Sequence, residues 1–498
     1  MSGDLYSRFA QSFTRFADKV FVDDEAREWT YGEIEHEAGR VAAQLRALGV
    51  TPGERVLVQT DKSVETLLLY IACVRAGAIY LPLNSDYTES EIAYFAGDAT
   101  PVLAVCRPQS VALFERVGSE IDEGAMRVIT LEDLFAQLTD QQAAPAVRQP
   151  DDIAAILYTS GTTGKPKGAM LTHANLVSNG DVLIDLWRFT PEDRLIHVLP
   201  IFHVHGLFVA MHCVLFSGAT VIFLPRFESE VVVRHMANAT VLMGVPTFYI
   251  RLLADETFTR EAAGSMRLFI SGSAPLSADI HRAFEQRSGH RVLERYGMTE
   301  TGMLTSNPYE GERKAGFVGP PLPGVELRIA DSETGNVLEQ GEVGIVEVKG
   351  PNIFKGYWQM PEKTAAEFRP DGFFITGDMG FIDTDGLVQL VGREKDLIIS
   401  GGLNVYPAEV EALLDDRADV GEAAVIGVPH PDFGEAVVAV VQPVGDFDAQ
   451  AVRAALREDL AAFKVPKQII TLDVLPRNTM GKIQKKLLRE QYSDLFAA

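Results

Sequence analysis

The chain has 498 residues, 47% hydrophobic and 23% charged, the balance of a folded globular protein long enough for at least two domains. Acidic residues outnumber basic ones by 69 to 45, for a formal net charge of −24. That field repels nucleic acid and anionic lipid, so neither is an expected partner, and an anionic ligand must be met by placed cations and backbone N–H groups.

Met1 to Val20 reads as an amphipathic helix with Leu5, Phe9, Phe13 and Phe16 inward, and it lacks the uninterrupted apolar stretch of a secretory signal. Strand and helix then alternate: a strand at Arg55–Gln59, a helix at Ser63–Ala76, strands at Ile79–Pro82 and Pro101–Cys106. Ala143–Asp152 is a polar, proline-bearing surface connection. Leu195 to Pro225 holds no acidic or basic residue, but Pro200, Gly206, Gly218 and several histidines argue for buried strand, loop and helix rather than a membrane span. The alternation resumes with strands at Thr240–Val245 and Arg267–Ser271, a helix at Ser277–Ser288 and a strand at Arg291–Arg295. Such repeats predict an α/β fold with parallel, helix-covered sheets. Short strands with turn signals between Val325 and Gly350 predict a small β-rich subdomain. After the charged segment Arg393–Asp396 the elements form a separate α+β unit: helices at Glu409–Leu414 and Asp448–Ala462, strands at Glu422–Gly427, Ala436–Gln442 and Gln468–Leu472, and a last helix near Lys482. The expected domains are 1–394 and 395–498. Cys73, Cys106 and Cys213 are widely spaced with no CxxC pair, which excludes a disulfide framework and fits a reducing, cytoplasmic setting.

The segment with the most chemistry follows the apolar strand Ile153–Leu157. There Thr159, Ser160, Gly161, Thr162, Thr163, Gly164 and Lys165 stand together, with Lys167 just beyond. Two glycines let consecutive N–H groups converge on phosphate oxygens, the hydroxyls add donors, and a lysine adds charge. Pro166 and the missing GK[ST] exclude a Walker A loop.

This loop, with Tyr296-Gly-Met-Thr-Glu300, Tyr357-Trp358, Thr376-Gly-Asp378, Gly392-Arg393 and Pro476-Arg-Asn-Thr-Met-Gly-Lys482 in that order, resembles the acyl-adenylate-forming enzymes, in their acyl-CoA synthetase branch. The resemblance covers nearly the whole chain. It implies ATP, Mg²⁺ and coenzyme A, and a reaction in two steps. A carboxylate first attacks the α-phosphorus of ATP and expels pyrophosphate. A thiol then displaces AMP to give a thioester. By resemblance Glu300 holds Mg²⁺, Thr299 contacts the α-phosphate, Asp378 accepts the ribose hydroxyls, and Arg393 makes a second contact to ribose or phosphate. Ser273, Ala274 and Pro275, with Glu294 to Tyr296 and the following Gly297 and Met298, form the adenine site. Lys482 bridges carboxylate and α-phosphate from a mobile C-terminal lid that rotates about Lys395. Ser400, Gly401 and Gly402 then line the passage for the pantetheine thiol.

The acid pocket is expected around His203, His205, Ser271 and Met303. The His203–His205 pair lacks a third ligand of fixed spacing, which disfavours a metal. Arg251 and Arg295 stand where the family's fatty and aryl members have apolar walls or glycine, and a buried guanidinium calls for a carboxylate. The expected substrate is therefore a small dicarboxylate, malonate or methylmalonate. The alternatives are a monocarboxylate ligase and a non-catalytic nucleotide-binding regulator. The oligomeric state is left open, a monomer being one option.

Overall fold

The computed structural model describes residues 3–121, 126–159, 166–400, 403–431, 433–460, 462–478 and 481–496. Ser160, Gly161, Thr162, Thr163, Gly164, Lys165, Gly401 and Gly402 therefore lie outside the described residues.

The strand–helix alternation folds into two sheets. In the first, six strands run parallel in the order Leu293–Met298, Leu268–Ser271, Val241–Gly244, Arg194–His197, Thr220–Phe223, Val20–Asp23. An antiparallel strand closes each edge, Gly302–Ser306 at one and Glu28–Thr30 at the other. The second sheet runs Arg127–Thr130, Leu103–Cys106, Arg55–Gln59, Ile79–Pro82, Ile153–Thr159, all parallel, and ends on the antiparallel Lys167–Thr172. Its apolar helix Val64–Ala76 is buried along almost its whole length, because both sheets need covering and it lies in their shared core. Ser63 caps that helix, accepting from the Thr66 N–H, and Gly77 ends it in the left-handed region. Within the N-terminal helix Leu5–Arg15, Leu5, Phe9 and Phe13 are fully buried; Phe16 lies past its end and is only half-buried.

The β-rich subdomain is a four-stranded antiparallel sheet, Glu326–Ala330, Gly344–Lys349, Phe374–Ile382, Val388–Arg393. Beyond it a smaller C-terminal domain is built on the long antiparallel pair Val420–His430 and Gly434–Pro443, flanked by the helices Pro407–Asp415 and Ala449–Asp459. Its two faces bury their own apolar clusters, one on Val410, Val425 and Val452 and one on Ile426, Val438 and Leu488. The expected helix Asp448–Ala462 is shorter, with Asp448 as its cap, and the last helix starts at Lys485 rather than Lys482. The uncharged stretch adds a π-helical turn, His205–Met211, that its pattern did not announce. Among the described residues no helix is long and apolar enough to cross a membrane.

Candidate active site

The parallel strands of the larger sheet end along one edge, and the side chains there meet in the manner open α/β sheets use for ligands. The next strand along from Ser271 carries Glu294 as its register partner, and Arg295 follows. Arg295 is 3% exposed, and its Nε and Nη2 have no hydrogen-bond partner among the described residues. Burial lowers its pKa to about 10. The guanidinium packs so closely over Gly272 that a Cβ there would lie 2.3 Å from its carbon. Its charge also depresses His203 and His205, both already lowered by burial, His203 to about 4. The two histidines are therefore neutral at physiological pH.

His205 is itself buried. Its Nδ1 lies 3.3 Å from Ser273 Oγ, its backbone N–H donates to His203 Nδ1 at 3.2 Å, and its Nε2 has no partner among the described residues. Ser271 Oγ is likewise buried without a partner among the described residues. Ser273 takes a left-handed backbone, φ 71°, which a non-glycine residue adopts only when its surroundings impose it. Orphaned polar atoms on Arg295, His205 and Ser271 thus share one edge of the sheet, a costly arrangement for a pocket with nothing to bind. Met303, 2% exposed, supplies an apolar wall; its carbonyl accepts from Asn179 Nδ2 at 2.9 Å and its backbone N–H donates to Asn179 Oδ1 at 3.0 Å.

Arg251 departs from expectation. It points out of the helix Pro246–Ala254 and its side chain is exposed, so it does not line an enclosed pocket. Position along a short helix sets this: Tyr249 and Leu252 take the inward face.

A second cluster surrounds Glu300, 5% exposed. Its Oε1 accepts from Thr159 Oγ1 at 3.3 Å and from the Tyr357 hydroxyl at 3.1 Å, and burial raises its pKa. The same hydroxyl lies 2.6 Å from Glu367 and, having one proton, donates to only one of the two acids at a time, and Glu367 pairs with Lys167 at 2.8 Å. Lys167 is therefore tied to an acid and lies 4.1 Å from the Tyr357 ring centre rather than standing free for a phosphate. Tyr357 and Glu367 carried no role in the sequence reading; the Tyr-Trp dipeptide was the available signal. Thr299 is half-buried at the adjoining turn. Thr159 and Lys167 are register partners across the antiparallel strands Ile153–Thr159 and Lys167–Thr172.

Asp378 and Arg393 face each other across antiparallel strands, Asp378 Oδ1 accepting from Arg393 Nε at 2.7 Å. The other oxygen accepts from the Tyr296 hydroxyl at 2.6 Å, and that ring is buried. Glu294, beside Tyr296, has its pKa raised to about 8 by burial and accepts the Gly316 N–H. Of the expected adenine residues, Ser273 and Ala274 are half-buried and Pro275 is exposed. Gly297 and Met298 are half-buried at the end of the strand. Gly297 leaves no room for a side chain: a Cβ would lie 2.1 Å from the Gly302 carbonyl oxygen.

The C-terminal domain reaches this edge through the loop that carries Lys482. A Cβ on Gly481 would lie 3.3 Å from Thr247, so the loop rests on the helix Pro246–Ala254. Lys482 keeps solvent access, yet the surrounding protein and the charge of Arg393 hold its pKa below the ordinary lysine value, with Asp378 opposing. Lys395, exposed at the junction of the domains, is lowered to about 8, by crowding first and then by Arg393. Ser400 is buried at the end of a hairpin whose Ile399 and Leu403 are 52% and 49% exposed. In this arrangement Lys482, not that hairpin, stands beside Asp378 and Arg393.

For a magnesium ion the donor set is one buried carboxylate, Glu300; no cluster of three or more histidine, cysteine, aspartate or glutamate side chains occurs among the described residues. One carboxylate with substrate phosphates and retained water suits Mg²⁺.

The family model for AMP-binding enzymes matches residues 9–358, and that for their C-terminal domain matches 409–482. A malonate–CoA ligase of Arabidopsis thaliana is 31% identical over 98% of this chain and 89% of its own. A long-chain-fatty-acid–CoA ligase of Bacillus subtilis is 32% identical over 98% and 95%. The crystal structure of ATP-bound MatB from Rhodopseudomonas palustris is 53% identical over the whole of both chains, with a TM-score of 0.95. Apo MatB, 52% identical over the whole of both chains, superposes with a TM-score of 0.84.

Proposed function

The chain belongs to the AMP-binding enzyme family, and on that premise we propose that it joins malonate, or a close dicarboxylate such as methylmalonate, to coenzyme A using ATP. The observation that carries this reading is the buried Arg295 guanidinium with no acid partner among the described residues. A guanidinium binds a carboxylate in two hydrogen bonds, and removing such a charge from water without an anion is expensive. His205 Nε2 and Ser271 Oγ supply further unpaired polar atoms for the second carboxylate. A fatty-acid ligase has no use for this set, so likeness to both kinds of relative is resolved by the pocket and not by overall identity.

Adenylation joins two anions, and the chain's part is to hold them and to offset their charge. Arg295, His205 and Ser271 hold the distal carboxylate and Met303 walls the carbon between, leaving the proximal carboxylate free to attack; His203 orients His205. Lys482 neutralises the meeting of that carboxylate with the α-phosphate. Thr159 and Thr299 donate to phosphate oxygens, with residues 160–165 as the rest of the cradle. Lys167 acts through Glu367 and Tyr357, orienting Glu300. Asp378 accepts the ribose hydroxyls while Arg393 and Tyr296 keep its carboxylate oriented, and Ser273–Pro275 with Glu294–Met298 frame the adenine. Mg²⁺, when bound, would be held by Glu300 and would offset phosphate charge.

The resulting acyl-phosphate bond is broken by the thiol of coenzyme A, which expels AMP. For that step residues 395–498 rotate as a lid about Lys395, withdrawing Lys482 and turning Ser400–Gly402 toward the substrates. We place the reaction in the cytoplasm, as three free and buried thiols favour a reducing compartment.

AMP formation is to be measured with acetate, malonate, methylmalonate, succinate and benzoate. Malonate or methylmalonate should be used well ahead of the monocarboxylates. Preference for acetate or benzoate would replace this reading with a monocarboxylate ligase, and no AMP with any acid would leave a non-catalytic nucleotide-binding protein.

A further inference from the structure

One lysine outside the site makes contacts that reach into it. Lys62 lies between the strand Arg55–Gln59 and the helix Val64–Ala76, in the smaller parallel sheet's layer. Its ammonium crosses to the larger sheet, donating to His197 Nδ1 at 2.8 Å, to the His197 carbonyl at 2.9 Å and to the Leu224 carbonyl at 2.5 Å. It pairs with no carboxylate among the described residues, and it lies 4.5 Å from the Phe223 ring centre. His197, fully enclosed, turns its other nitrogen to the Gly206 carbonyl at 2.9 Å.

The chemistry of the imidazole determines what these contacts do. A carbonyl oxygen only accepts, so the Gly206 contact favours a proton on Nε2, and the Lys62 donor at Nδ1 leaves no place for a proton on that nitrogen. A neutral ring then has its lone pair on Nδ1, where Lys62 donates. Burial and the Lys62 charge both hold the His197 pKa well below its ordinary value, which keeps the ring neutral and the tautomer single. Gly206 is the second residue of the π-helical turn that begins at His205, and it has no slack: a Cβ there would lie 2.0 Å from the Pro200 carbonyl oxygen. The carbonyl held by His197 thus belongs to the turn that carries His205, whose Nδ1 meets Ser273 and whose ring feels the Arg295 charge.

We propose that Lys62 is a positioning residue for the acid pocket, acting through the tautomer of His197 and the Gly206 carbonyl to fix the His203–His205 turn. The inference rests on the dicarboxylate reading of that pocket. Lys62 touches neither ATP nor the reacting carboxylate in this scheme, so its effect is expected on binding of the acid alone.

The test is Lys62→Met, similar in length but without donors, beside Lys62→Arg, which keeps them. In Lys62→Met the KM for malonate should rise about tenfold, the worth of a lost buried hydrogen bond to a charged group, while kcat and the KM for ATP change by less than about threefold. Lys62→Arg should recover most of the malonate affinity. ¹⁵N-histidine NMR should find His197 as the neutral Nε2–H tautomer in the wild type and as a mixture in Lys62→Met. An unchanged malonate KM, or equal rises in both KM values, would refute the positioning role. If the wild type uses no malonate, the functional reading fails, and the NMR comparison still decides whether Lys62 sets the tautomer. If Lys62→Met does not fold, the wild-type spectrum decides alone: His197 seen as the Nδ1–H form or as imidazolium overturns the proposal.

Discussion

Arg295 and Arg251 show how one residue type divides by environment. Both are arginines expected from the sequence to serve the acid, yet one is enclosed without an anion and the other is solvated. Arg295→Leu should lose roughly 2–5 kcal/mol of productive malonate binding, the range for truncating a buried charge pair. Its unfolding free energy should hold or rise, since an unpaired buried charge is removed. Arg251→Leu should change malonate kcat/KM by no more than about 1 kcal/mol, as for a solvated charge. Normal malonate turnover by Arg295→Leu would misplace the pocket. Glu294 offers a pH test at the same scale. Its folded pKa of about 8 stands above that of an ordinary carboxyl, so the folded protein holds a proton there that the unfolded chain has released. That contribution is fully present in acid and is lost as pH rises through about 8. Urea midpoints should therefore fall less steeply between pH 5 and 8.5 in Glu294→Gln, which can still accept the Gly316 N–H. Parallel curves for the two proteins would put the shift elsewhere.

At the level of elements, the edge hairpin Leu293–Met298 and Gly302–Ser306 delivers most of the site. It presents Arg295 to the interior, Tyr296 to Asp378, and Glu300 from its turn. Its register shifts between Tyr296 and Gly297, and a side chain at Gly297 would collide with the backbone of Gly302 and Met303. Backbone cannot swing aside as a rotamer does, so Gly297→Ala should cost about 1–3 kcal/mol. The same change should raise the KM for ATP more than that for malonate, because the displaced turn leads to Thr299 and Glu300. A melting curve with steady-state kinetics in both substrates checks both statements, and a wild-type ATP KM would count against the hairpin's role. The helices and parallel strands were legible because apolar runs alternate with amphipathic ones, and the ends agreed closely at Arg55–Gln59 and Ile79–Pro82. The π-helical turn was not, because all of its residues are buried and no one-sided apolar period survives there.

For the whole molecule, the proposed lid rotation makes the arrangement of the two domains the functional variable. Lys482 stands beside Asp378 and Arg393, and the chain superposes on ATP-bound MatB with a TM-score of 0.95 and on apo MatB with 0.84. Lys482→Ala should lower adenylation by at least ~10²-fold, as for loss of one preorganised transition-state donor. Thioester formation from supplied malonyl-adenylate should be nearly unchanged, since that step would use the other face of the lid. Single-turnover assays of each half-reaction separate the two, and equal losses would end the division of labour.

From residue order alone came the alternating α/β layers, the β-rich insert, the separate C-terminal unit, and the short motifs from which Glu300, Asp378, Arg393 and Lys482 are expected to share one site. These are local properties: periodicity, turn chemistry and motif spacing are written along the chain. What only the tertiary structure decided was which of those groups are paired. Lys167 is taken up by Glu367, Arg251 by solvent, and Arg295 by nothing described, while Lys62 reaches the pocket through His197. Pairing depends on distance and burial between residues far apart in sequence, and burial is what converts an ordinary guanidinium into a group that requires an anion.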